Sequence, residues 1–266
     1  MELSTFELLV KRIAPLNGQP AVTAVARRVV QGYFLTLSNL ESIDLTFQLE
    51  FFISRPNPPD PDRTLDGRAD AIYDIAGANV PLFLYGNSTS IRFATSFRVP
   101  AKQTISVQLL PKPFMFSDLN PDFEVRGYVS LSLPALFDID SFSFKPQSNQ
   151  PVQVLLNPEM RGTFLPNNYP AALGGDFDQI NYPLAIATGK SLNAITPDSG
   201  FLLGIPSVSP AVRETLKMQF NDRLATASSP EARSQAIVEF GDLVRNSSIT
   251  TAQNFNDVIN NQWKVP

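Results

Sequence analysis

The chain has 266 residues, of which 43% are hydrophobic and 17% charged, with a net charge of −4. That length and apolar content suffice for a packed core and exclude wholesale disorder, and the acidic balance argues against nucleic acid, whose phosphates demand a basic patch. Cysteine and histidine are both missing, so disulfides, thiolate metal sites and nucleophile systems built on a His base are excluded.

Taken in order, residues 3–14 carry two patterns. Phe6, Leu9, Val10 and Ile13 follow helical spacing, and Ser4 and Glu7 stand three apart as in a capping box. Phe6, Leu8 and Val10 fit one face of an edge strand equally well. The N-terminal order of charged and apolar residues is the reverse of a signal peptide, and no apolar run approaches a membrane span. The expectation is therefore a soluble protein, cytoplasmic rather than secreted, with no membrane span.

Residues 22–38 read as one long strand or two. From Gly32 to Ser54 the alternation is the cleanest in the chain: Tyr33, Leu35 and Leu37, then Leu45, Phe47, Leu49, Phe51 and Ile53, fall on one face, with turn chemistry at 38–42. The stretch predicts a core hairpin. Phe52 is out of phase, on the polar face with Thr46, Gln48 and Glu50, which predicts that C-terminal helices cover that face. Four prolines between 55 and 62 forbid ladder pairing there. Further strands are predicted over 80–85, 91–99, 103–110, 123–133, 141–145 and 152–156.

These alternations and their Pro, Gly and Asn punctuation predict a mainly-β fold, an antiparallel β-sandwich over residues 1–156 that resembles immunoglobulin-like architecture by analogy alone. Residues 157–207 read as a loop-rich connecting region with short strands. Over 208–266 the period switches to 3.6. Ser209-Pro210, Ser229-Pro230 and Thr250 or Thr251 start three amphipathic helices, carrying Val212, Leu216, Phe220 and Leu224, then Ala236, Ile237, Phe240 and Val244, then Phe255, Val258 and Ile259. Trp263 is expected to dock onto the fold.

Chemistry-bearing patterns are sparse. Asp60, Asp62 and Asp66 resemble an oxygen-ligand loop for Ca²⁺, yet an EF-hand beginning at Asp60 needs Gly at its sixth position and Glu at its twelfth, where Leu65 and Ala71 stand. Gly189-Lys190-Ser191 matches the end of a phosphate loop, but the required earlier Gly is Leu184. Asp138 with Asp140, and Asp176 with Asp178, are carboxylate pairs of the kind glycoside hydrolysis uses, although only facing placement would make them so. Tyr169 and Tyr182, in a region with Asn167, Asn168 and Asn181, are the candidates for sugar recognition, and Asp176 and Asp178 join them as candidates for ligand binding.

The leading expectation is a non-catalytic structural or protein-interaction module without a cofactor, whose partner is a protein, itself or another, with homo-oligomerisation through the helices as one route. The alternatives are a ligand-binding β-sandwich, carbohydrate-directed or Ca²⁺-dependent, and a carboxylate-based hydrolase.

Overall fold

A period of two places successive side chains on opposite faces of a sheet, and that rule decides the first element. β1 (Glu2–Arg12) is a strand, with Leu3, Phe6, Leu8 and Val10 buried. Of the two readings of residues 3–14, strand is the observed one, because β1 gains partners on both edges, β2 (Arg28–Asn39) and β8 (Asp122–Ser132). The computed structural model describes all residues except 15–17, 57, 59, 76, 168, 172–176, 203–208, 228–229, 247–250 and 264–266. Residues 20–25 depart from the strand predicted over 22–38: Pro20, with its fixed φ, opens a six-residue helix, α1 (Pro20–Val25).

The stretch from Gly32 to Ser54 is not a hairpin. β2 pairs with β1, with β7 (Thr104–Pro111) and with β11 (Val152–Leu165). β3 (Leu45–Ile53) pairs instead with β6 (Arg92–Val99) and β8. Alternation fixed which side chains face inward but not which strand lies alongside. The two strands meet face to face: Tyr33 and Phe51 approach edge-on at 6.0 Å, and Phe6 packs edge-on against Phe51 at 5.5 Å. Burial pushes the pKa of the Tyr33 phenol up, against a hydrogen bond with Ser4 at 3.3 Å.

With β4 (Ala69–Ile75) and β5 (Ala78–Leu82), the strand order is β5-β4-β7-β2-β1-β8-β3-β6, antiparallel throughout. Beyond β5, Tyr85 forms an antiparallel bridge with Ala94 of β6, so the two ends of that order come back together. β11 runs along the other edge of β2 from Asn39 to Arg28 and carries β12 (Gln179–Pro183) and β13 (Leu192–Ile195). A boundary at residue 156 therefore falls inside β11, and residues 157–165, expected to open the loop-rich connecting region with its short strands, continue that long strand.

A second core lies beside the first. β9 (Leu136–Asp138), β10 (Ser143–Lys145) and β14 (Phe201–Leu202) form a three-stranded sheet. Its Phe142 and Phe144 pack with Phe220 of α2 (Pro210–Leu224), Phe240 of α3 (Pro230–Asn246), Phe255 of α4 (Ala252–Asp257) and the buried Trp263. Ser209 accepts from the Val212 amide at 3.4 Å and Thr251 from that of Asn254 at 3.1 Å, as predicted for helix starts; Ser229 and Thr250 lie outside the described residues. Val212 and Ile237 of the predicted stripes are exposed, and Val238 is buried instead.

α3 also lies on the outer face of β3 and β6. Gln48 donates to Asp242 at 3.2 Å, Gln235 donates to the Ser96 carbonyl at 2.9 Å, and the Tyr85 hydroxyl donates to the Glu239 carbonyl at 2.9 Å. The predicted helical cover thus exists at Gln48. It stops short of Phe52, which is half-buried and stacks on Tyr128 instead, at 4.8 Å and 9° between planes. No helix among the described residues is long and apolar enough to cross a membrane.

Candidate functional site

Outward positions of a strand normally carry polar side chains. On β2 they carry Val30, Gly32 and Phe34, and this departure creates a trough of about 610 Å³ across the outer surface of β4, β7, β2, β11 and β12. Gly32 makes room for it. A Cβ there would stand 2.6 Å from Leu110 Cδ2 and 3.0 Å from the Leu109 carbonyl, so only glycine lets Leu110 lie across the strand. Ile72, Leu110, Pro111 and Phe116 extend the apolar lining.

Charges mark the trough's rim. Arg161 lies over the Phe34 ring at 4.7 Å and pairs with Glu159 at 2.8 Å. Hydrogen bonds from Arg161 and Asn157 hold the Glu159 carboxyl below its ordinary pKa, against a smaller opposing effect of burial. On the other side Asp70 faces Lys112 at 3.5 Å.

A second groove, of about 540 Å³, lies where β1 and β8 meet the β11–β12 hairpin. Its floor is closed by the buried Phe6 and Met160. Gly127 is fixed there by crowding, since a Cβ would fall 1.8 Å from the Phe52 carbonyl oxygen. Glu7 and Arg126 are cross-strand partners and form an ion pair, which raises the Arg126 pKa. Arg126 also reaches Glu124 at 2.7 Å, and Glu124 holds Lys11. Burial pushes the Glu124 pKa up, but Lys11, Arg126 and Arg63 together bring it below the ordinary value. Two tyrosines stand in this groove, Tyr128 at 44% exposed and Tyr182 at 42%. Tyr182 is hydrogen-bonded to Gln31, whose amide donates to Glu7 at 3.3 Å; burial first, then the Glu7 charge, raises its pKa.

The residues singled out in the sequence scatter. Asp60 takes the Asp62 amide and the Arg63 guanidinium, Asp62 binds Arg68, and Asp66 sits exposed one turn further on. Among the described residues no set of three acidic side chains gathers as a metal cage. Tyr169 gives its carbonyl to Arg28 and packs on Phe177 at 6.2 Å, while Asp178 pairs with Arg27. Asp176 lies outside the described residues. Of these candidates Tyr182 lines the second groove, and Asp66 lines a separate cavity of about 450 Å³ beside β4 and β5.

Asp138 and Asp140 each meet a lysine. Asp138 binds Lys145, and Asp140 reaches Lys217 of α2 at 2.7 Å. The Lys190 and Ser191 carbonyls accept from Asn193, so the phosphate-loop lookalike is a side-chain-tied turn. Glu7, Arg126 and Tyr128 were missed because each looks like an ordinary outward residue. The available signal was Phe52, an aromatic side chain out of phase and paired across strands with Tyr128. Compared with known proteins, the chain matches no protein-family model, no curated protein and no solved structure.

Proposed function

We propose that the chain is a non-catalytic protein-interaction module that takes an extended, apolar segment of a partner polypeptide in the trough over Gly32. The observation that carries this reading is the trough itself: an apolar channel on the outer side of five adjacent strands, where side chains are usually polar. Five strands span four spacings of about 4.8 Å, roughly 19 Å, the reach of about six extended residues at about 3.3 Å each. The rim acids support binding over chemistry, since Glu159 is held ionised by Arg161 and Asp70 faces Lys112. The edge-on packing of Tyr33 against Phe51, from two strands that are not paired with each other, supports reading the β unit as a sandwich, with an immunoglobulin-like resemblance of architecture only.

A photo-crosslinking residue at Thr163, on the trough, should yield a discrete adduct in native extract, and one at the exposed Asn149 should not. Leu110→Lys in the same chain should abolish the adduct. An adduct of twice the chain's mass would make the partner a second copy. Equal crosslinking from both positions, or none from Thr163, would refute the proposal.

A further inference from the structure

We infer that the Tyr128 groove is a second and separate binding site, and that its ligand is a neutral oligosaccharide. Along β8 the outward side chains are Glu124, Arg126, Tyr128 and Ser130, so one aromatic ring stands in an otherwise polar row. Core packing does not account for it, since Tyr128 is among the exposed large side chains. Phe52 holds the ring in place from the neighbouring strand by parallel stacking at 4.8 Å. A ring already fixed loses little side-chain freedom when a ligand settles on it.

The chemistry around the ring selects the ligand. A pyranose offers an apolar C–H face bordered by hydroxyls that both donate and accept. Tyr128 supplies a flat apolar surface for that face. Beside it the Arg126 guanidinium donates and the Glu7 carboxylate accepts, side by side on paired strands. Tyr182 contributes a second ring from β12, set by Gln31. Among the residues that line the groove the charges balance, Glu7 against Arg126, and outside it Glu124 is surrounded by Lys11, Arg126 and Arg63. A phosphate or sulfate would meet carboxylate oxygens as often as cations, whereas a neutral polyol meets complementary donors and acceptors. A groove of about 540 Å³ is of the size that holds small ligands. None of these residues lines the trough, so this site stands whether or not the trough binds a polypeptide.

The test is calorimetric titration of the full chain with cellohexaose, laminarihexaose, xylohexaose, maltohexaose and chitohexaose. At least one should bind with one site per chain. Tyr128→Ala should weaken that binding by about tenfold or more, while Tyr128→Phe, which keeps the stacking face, should stay within about threefold. Arg126→Ala should weaken it too, and Leu110→Lys in the trough should leave it unchanged. An unaltered melting temperature for Tyr128→Ala would show that the loss is not unfolding. The inference is overturned if no hexasaccharide binds, if only sulfated or uronic oligosaccharides bind, or if Tyr128→Ala binds as well as the parent. It is equally overturned if a polyproline peptide binds through Tyr128 and none of the sugars does.

Discussion

Arg28 is 1% exposed, yet it carries a full charge at the start of β2. Burial and the neighbouring Arg12 lower its pKa, while Asp118 opposes them. What keeps it there is a ring of backbone acceptors: the carbonyls of Phe116 at 3.1 Å, Asp118 at 2.5 Å and Tyr169, from two separate loops. Arg28→Ala should therefore cost about 3–5 kcal/mol in urea unfolding, because it strips the donor from several buried acceptors and leaves a cavity. A loss below about 1 kcal/mol would show that water replaces the guanidinium without difficulty. Nothing in the sequence marked this residue, since an Arg at a strand start reads as solvated. Phe52 was legible in the opposite way. Its phase error announced that something covers it, but only the pairing of β3 with β8 shows that the cover is Tyr128 and not a helix.

Elements were legible where one pattern dominated and not where partners decide. β1 carried helical and strand patterns together, and its two flanking strands settled the matter. α3 was legible as a helix, but its second, polar contact with the sheet was not. Burial raises the pKa of both Asp242, which is 2% exposed, and Glu239. For Glu239 the Gln235 hydrogen bond opposes the rise and the Asp242 charge adds to it. An acid whose folded pKa is raised holds its proton more tightly when folded. Its contribution to stability therefore falls as pH climbs from the ordinary carboxylate range through the folded pKa, and is level above that. Glu239→Gln keeps an acceptor for Gln235 and removes the charge. It should gain stability relative to the parent as pH rises from about 4.3, until the gain levels off. Denaturant unfolding of both chains between acid and neutral pH measures this, and a difference that is flat with pH would contradict it. Asp138 has the opposite sign. Its hydrogen bond from Lys145, with the Asp140 amide and Ser141, outweighs partial burial and holds its pKa down to about 2. The stability it gives is present above the ordinary Asp range and is lost as pH falls toward 2, so Asp138→Asn should converge with the parent in acid.

At the scale of the molecule, one helix ties the smaller apolar core to the outer face of strands that enclose the larger. The larger core lies among the strands, and the smaller joins Phe142 and Phe144 to helices that begin more than sixty residues later in the chain. Helical periodicity exposed the stripes on α2 and α3, but no periodicity says that a stripe will meet an aromatic turn so far upstream. α3 sends Phe240 into the smaller core and Gln235, Glu239 and Asp242 toward β3, β6 and Tyr85. Releasing it would bare Gln48 and Ser96 on one side and the rings on the other, so the two cores should unfold together. Phe240 tests this. It is fully buried and meets Phe220 at 4.8 Å, Trp263 at 4.7 Å and Phe255 at 5.5 Å. Phe240→Ala should cost about 3–5 kcal/mol. Trp263, the single tryptophan, reports the smaller core by fluorescence, while amide hydrogen exchange along β2 reports the larger. If the molecule is one cooperative unit, both probes give coincident transitions in the parent chain and shift by the same free energy in the variant. A shift in Trp263 fluorescence with unchanged protection of β2 would instead make the helical layer a separately unfolding unit, and the polar contacts of α3 with β3 and β6 too weak to couple the two.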